Sequence, residues 1–294
     1  MLEIIKVIIL SIVEGITEFL PVSSTGHMIL VNKFVNLEPE SFSNTFMVII
    51  QLGAILAVVA IYFEKLNPFL RKKLDGGNYP KKLLESKDKN RKINMIYYFL
   101  THNKTINLWL KIIVAAVPAA VLGLMFDDKI DELLFKPVPV ALALVFYGVV
   151  ILFLEKRNSQ KDNYRITEVF KVTYKDALII GFFQVLAMWP GTSRSAATII
   201  GAMIIGLNRT AAADFSFFLA IPTMIGATLL KIIKAPVLTA GQWGLILLGF
   251  VLSFIVAYIV IKKFLGYIKK NDFKIFGYYR IVLGMIVLLY FLVF

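Results

Sequence analysis

Residues 14–27 read Glu14-Gly-Ile-Thr-Glu18-Phe-Leu-Pro21-Val-Ser23-Ser24-Thr25-Gly26-His27, in the middle of an apolar run from about residue 2 to 36. Pro21 ends a helix and the hydroxyls after it cap a new one, so the run reads as two half-helices. A second apolar run, about 177 to 206, is broken in the same way at Pro190-Gly191-Thr192-Ser193-Arg194-Ser195. Each is expected to form a re-entrant helical hairpin, because irregular backbone at membrane depth is tolerated only where protein or a cavity surrounds it.

Outward from these breaks, six segments are long and apolar enough to span: about 45 to 63, 108 to 126, 137 to 154, 214 to 232, 243 to 262 and 278 to 294. The 294 residues are 59% hydrophobic and only 17% charged. With a mean hydropathy of +0.77, the chain is an all-α polytopic membrane protein without a soluble domain. The run Leu2 to Val13 carries Glu3 and Lys6 and has no small-residue cleavage site, so it is read as part of the mature protein and not as a signal peptide.

The absence of cysteine removes disulfides, thiolate nucleophiles and Cys-type zinc sites, and two histidines, His27 and His102, do not make a multi-His metal site. A net charge of +13 raises nucleic acid as a partner. The basic residues, however, cluster between apolar spans, which is the pattern of loops at a cytoplasmic face, so no nucleic-acid partner is expected.

Threading six spans and two hairpins puts the loops 64 to 107, 155 to 176 and 262 to 280 on one side, with 11, 6 and 6 Lys/Arg. The loops 127 to 136 and 231 to 242 fall on the other side with 2 each, the first also holding Asp127, Asp128, Asp131 and Glu132. The positive-inside rule makes the basic side cytoplasmic and leaves both termini and the mouth of the first hairpin outside. The second hairpin then enters from the cytoplasm. That opposite entry is the pattern of an inverted repeat, about 1–154 and 155–294. An ungapped offset of 169 residues pairs Lys6 with Lys175, Pro21 with Pro190, Ser24 with Ser193 and Phe46 with Phe215. The arrangement predicts that the hairpin tips meet near mid-membrane.

Almost every charged residue falls in a loop or at a span end; the exceptions are Glu14, Glu18, Arg194 and Asp214. An ionisable group at the centre of a membrane helix costs on the order of 3 kcal/mol, so each needs a partner or a function. Glu14 and Glu18 are one helical turn apart, with carboxylates about 6 Å from each other on one face. Such a pair suits a general acid/base couple or a divalent-ion site. Ser23, Ser24 and Thr25 add hydroxyls and free N–H groups at a helix N-terminus, a cradle for an oxyanion. His27, one turn beyond Ser24, can face the same cavity. In the second break, Gly191 lets the backbone approach a ligand, and Thr192, Ser193, Ser195 and Thr198 surround Arg194, whose planar fork suits phosphate. Arg194 can instead pair with Glu14, Glu18 or Asp214 and tie the two repeats together. Asp214 reads equally as an orienting partner for Arg194 or as a helix cap.

Together the stretches Glu14 to His27 (EGITEFLPVSSTGH) and Trp189 to Thr198 (WPGTSRSAAT) resemble the undecaprenyl-diphosphate phosphatase family, associated with bacitracin resistance. Softer agreement runs through Gly181 to Gln184 and Phe215 to Thr228. The family usually has Gly where this chain has Ala196, a methyl that would narrow the approach to a lipid phosphate. The resemblance implies hydrolysis of undecaprenyl diphosphate to undecaprenyl phosphate and inorganic phosphate, with Mg²⁺ or Ca²⁺ required, in the bacterial cytoplasmic membrane. It implies a site opening to the outer face and carries over Glu14, Glu18, Ser23, Ser24, His27, Ser193, Arg194 and Thr198.

On this reading Arg194 and the tip N–H groups neutralise the terminal phosphate. Glu14 and Glu18 hold the cation, or one of them acts as general acid/base. His27 or Ser24 either attacks as a covalent nucleophile or positions the attacking water, with His27 favoured as the participant. The rival reading is a transporter or flippase for a phosphorylated prenyl lipid, since inverted hairpins meeting at mid-membrane are also a transporter's design.

Overall fold

The computed structural model describes residues 2–69, 91–134, 136–158, 164–233, 235 and 237–293. The first apolar run divides into α1 (Leu2–Thr17) and α2 (Ser24–Val35), as the proline and the capping serines require. α3 (Glu40–Ile61) follows, and after a one-residue break at Tyr62 comes the short α4 (Phe63–Leu66). Residues 70–90, the greater part of the basic loop, lie outside the described residues. The chain resumes with α5 (Arg91–His102), α6 (Lys104–Leu134) and α7 (Pro137–Asn158). The second apolar run divides into α8 (Tyr174–Val185) and α9 (Arg194–Ile204), joined by a single 3₁₀ turn at Leu186–Met188. α10 (Arg209–Ile233), α11 (Ala240–Ile268) and α12 (Lys274–Val293) complete the bundle.

The six helices long and apolar enough to cross a membrane are α3, α6, α7, α10, α11 and α12, the six segments expected from hydropathy. Among the described residues the only extended pairing is an isolated bridge between Ile166 and Leu207. Expected loops carry helix: α5 lies within 64–107, and α11 runs on to Ile268. The segment 127–134, expected to be loop, continues α6, because nothing in it breaks a helix until Pro137 disfavours helical backbone at the residue before it.

The arms of each broken unit pack on each other, α1 on α2 and α8 on α9. The long helices then exchange partners between the halves: α1 packs on α11 and α8 on α6, while α7 and α12 pair along their lengths. Small residues make the two crossed approaches possible. A Cβ added at Gly181 of α8 would lie 2.4 Å from the Ala115 carbonyl of α6, and one at Gly15 of α1 would lie 2.9 Å from the Ser253 carbonyl of α11.

Both second arms begin in the same unusual way. Ser23 and Ser193 have φ of 74° and 73°, a region that residues with a Cβ seldom occupy. Each hydroxyl caps its helix, accepting from Gly26 N–H at 3.3 Å and Ala196 N–H at 3.2 Å. The matched cap is therefore Ser23, not Ser24. One residue separates Pro21 from its cap serine and two separate Pro190 from its own, which puts the tips one residue out of the ungapped register.

Candidate functional site

The helical bonding of α1 runs one residue past Thr17, with Glu18 N–H donating to Glu14 O at 3.0 Å, and so places both carboxylates at the first tip. From the second tip, Arg194 opens α9 and reaches across: its Nη2 donates to Glu18 Oε1 at 2.9 Å. Its Nη1 donates to the Ser216 carbonyl of α10 at 3.0 Å, and its guanidinium carbon lies 5.7 Å from the centroid of the Phe19 ring. The Ser24 hydroxyl donates to the other Glu18 oxygen. Glu18 is thus held between a hydroxyl and a guanidinium from opposite halves of the chain.

Glu14 is fully buried, and neither carboxylate oxygen has a hydrogen-bond partner among the described residues. Its carboxyl lies beside that of Glu18 and within electrostatic reach of Arg194. Orphaned buried carboxylate oxygens are uncommon because their desolvation is uncompensated, which marks Glu14 as a group built to meet a cation or a proton. No group of three or more Asp, Glu or His gathers in metal-binding geometry among the described residues. The two carboxylates nevertheless fit a hard divalent ion chemically, since Mg²⁺ and Ca²⁺ take oxygen donors and complete their shells from phosphate and water.

The tips are also joined directly. Ser195 Oγ donates to the Leu20 carbonyl at 3.0 Å and lies 3.0 Å from Ser193 Oγ. Arg280 of α12 is fully buried and bonds one carbonyl from each tip, Pro21 O at 3.1 Å and Gly191 O at 2.8 Å. Arg280 corrects the sequence reading, which counted it among the basic charges of the loop 262–280. α12 begins at Lys274, so Arg280 sits more than one turn inside the helix. The available signal was its place within the predicted span 278–294.

Other expected residues lie nearby in different roles. His27 does not meet Ser24. Its Nδ1 is 2.7 Å from the Ser23 carbonyl, which can only accept, so Nδ1 carries the proton. Nε2 is 2.6 Å from the Tyr279 hydroxyl and therefore accepts from it, with the two rings stacked at 5.6 Å. Tyr279, like Arg280 and the Ser216 carbonyl, carried no motif signal in the sequence. Thr198 Oγ1 is buried against Ser216 Oγ at 2.7 Å and the Arg194 carbonyl at 2.9 Å, so it supports Arg194 from behind. Gly191 (φ 95°) turns its bare Cα to α7, where a Cβ would lie 2.4 Å from the Val140 carbonyl; its smallness serves packing at this point. Thr192 is buried beside Tyr147 of α7, and Thr25 is half-buried.

Asp214 neither orients Arg194 nor caps a helix. It accepts from the Tyr62 hydroxyl at 2.5 Å and from Lys65 Nζ at 2.8 Å, tying α10 to the end of α3 and to α4. Ala196 is buried in apolar packing with Pro21, Ile151 and Ile200 around a cavity of about 10 Å³, and its methyl lies on that packed side of α9. A larger cavity of about 940 Å³ runs along α2 and the start of α3, lined by Asn32, Lys33, Asn36, Glu38 and Asn44 among others.

Comparison with known proteins gives concordant results. The model of the family described as bacitracin resistance protein BacA matches residues 7–286. Undecaprenyl-diphosphatase 1 of Clostridioides difficile (strain 630) is 50% identical over 293 residues, covering 99% of this chain and 97% of that protein. Undecaprenyl-diphosphatase of Acetivibrio thermocellus is 49% identical over 294 residues, 99% of each chain. Undecaprenyl-diphosphatase of Enterococcus faecalis is 47% identical over 290 residues, 98% of this chain and 97% of that protein.

Proposed function

The chain belongs to the bacitracin resistance protein BacA family, and from that premise we propose that it hydrolyses undecaprenyl diphosphate to undecaprenyl phosphate and inorganic phosphate. The observation that carries the chemistry is Glu18, which receives the Ser24 hydroxyl on one oxygen and Arg194 on the other. That is the geometry of a nucleophile, its base and the cation that meets the phosphate.

In the forward step Ser24 Oγ attacks the terminal phosphorus while Glu18 takes its proton. The bond from that phosphorus to the bridging oxygen breaks, and the prenyl phosphate leaves with the electron pair. Arg194 releases Glu18 as the base becomes neutral and turns its fork to the equatorial phosphate oxygens, where charge accumulates. Water then attacks the phosphoseryl group and Glu18 returns the proton to Ser24. His27, engaged with the Ser23 carbonyl and Tyr279, holds the strained cap in place rather than attacking. Glu14, joined by Glu18 only while that carboxyl is ionised, would hold Mg²⁺ or Ca²⁺, which when bound supplies charge neutralisation to the diphosphate.

The same reading takes the two broken units as re-entrant hairpins of an inverted repeat, about 1–154 and 155–294, in the bacterial cytoplasmic membrane. The site opens to the outer face. The partners are a long-chain prenyl diphosphate and the surrounding lipids.

The test is phosphate release from undecaprenyl diphosphate by detergent-purified protein with Mg²⁺ or Ca²⁺, followed by acid quench with terminally labelled substrate. Release should be lost in Ser24→Ala, and acid-stable label should appear on Ser24 in the wild type. Label that is lost on acid quench but kept on a parallel alkaline quench, and that maps to His27, would reassign the nucleophile. No release at all, with transfer of lipid between leaflets, would restore the transport reading.

A further inference from the structure

α5 stands outside the six spans, yet it presents apolar side chains outward. Ile93 and Ile96 are 66% and 59% exposed, and their spacing of three residues puts them on one helical face. The opposite side of the helix is the attached one. Phe99 stacks on Phe69 at 6.1 Å, and the helix joins α6 through Asn103, whose N–H donates to Phe99 O and whose carbonyl accepts from Asn107 N–H, both at 3.0 Å. Asn103 Nδ2 also donates to the Pro68 carbonyl at 2.7 Å, and Trp109 Nε1 to the Leu66 carbonyl at 3.0 Å.

This joint fixes the depth of α5. The membrane segment of α6 begins at Lys104, two residues after α5 ends, so an apolar face on α5 lies where headgroups give way to acyl chains. Charge selects the lipid: Lys89, Arg91 and Lys92 lead into the helix and Lys104 follows it, with no acidic residue from 89 to 104. We propose that α5 is an interfacial helix, with Ile93 and Ile96 inserted into the leaflet at the basic end of the bundle, held there by anionic phospholipid. It sets the entry depth of α6, the helix against which α8 of the second broken unit packs. The inference is independent of the catalytic reading.

The chain has no cysteine, so single-site spin labels can be placed without background. Ile93→Cys and Asn94→Cys, the latter exposed and turned about 100° around the helix, are labelled in phosphatidylcholine bilayers with and without phosphatidylglycerol. Ile96→Cys replaces Ile93→Cys if the latter does not fold. The apolar-face label should be reached more by oxygen than by an aqueous nickel chelate, the Asn94 label the reverse. The oxygen preference should shrink several-fold without phosphatidylglycerol. Equal aqueous access at both positions, or an apolar-face label shielded from both reagents as by a second copy, overturns insertion. Equal depth in both lipid mixtures overturns the role of anionic lipid.

Discussion

Arg194 Nη2 and Glu18 Oε1 lie 2.9 Å apart, although 176 residues separate them in the chain. Both side chains are largely buried, at 15% and 6% exposure, so this pair joins the two tips, while the Ser24 bond fixes the other Glu18 oxygen within the first tip. Breaking one partner of a buried pair leaves the other uncompensated, at about 3 kcal/mol or more. Arg194→Ala is expected to lower kcat by roughly 10²–10³ and to lower thermal stability, because Glu18 is then buried alone. Arg194→Lys should recover part of the stability and little of the rate, since an ammonium cannot reproduce the fork. Phosphate release and thermal unfolding in one detergent decide this; unchanged turnover in Arg194→Ala would remove the phosphate-binding role.

Arg280 has carbonyl partners at both tips and sits fully buried. Replacing it by Met strands two carbonyls but also removes the cost of burying a guanidinium, so the two effects partly offset. A net loss of about 1–3 kcal/mol is expected, with a disproportionate fall in kcat because the tips lose their common anchor. Measuring both in the same preparation separates the effects. A stable, fully active Arg280→Met would show that Ser195 and Arg194 suffice to join the tips.

Glu14 carries buried oxygens without partners. If it supplies a cation ligand, chelation should abolish phosphate release and added Mg²⁺ or Ca²⁺ should restore it. Glu14→Gln should then raise the cation concentration needed for half-maximal rate, more than it changes the KM for lipid. Cation titrations of wild type and variant make the comparison.

At the mouth of the second broken unit, Asp176 accepts from Arg165 and from both the N–H and the hydroxyl of Thr173. Burial alone would push its carboxyl up, but these bonds outweigh burial and hold it below the usual carboxylate range. A carboxyl depressed on folding stabilises the folded state above its unfolded pKa of about 3.9, and that contribution is lost as pH falls through the lower folded value. Thermal unfolding followed from pH 7 downward should therefore show a loss below about pH 4. Arg165→Gln should shrink that loss and lower stability at neutral pH.

Much of this was legible along the chain. Six spans and two interruptions are local properties, because the bilayer requires each crossing to satisfy its own backbone within a fixed length. Glu14, Glu18 and Arg194 stood out because an ionisable residue in an apolar run has few innocent explanations.

What the linear order left open was which polar groups face each other. Glu18 had three candidate roles and Arg194 three candidate partners; the turn of the first tip brought Ser24 to Glu18, and only the folding of one tip against the other brought Arg194. Asp214 went to Tyr62 and Lys65, His27 to Tyr279, and Arg280 moved from a supposed loop into the centre. The physical reason is range. Helix, break and span are decided by neighbours a few residues away, whereas a hydrogen bond is decided within about 3 Å between groups whose separation only packing sets.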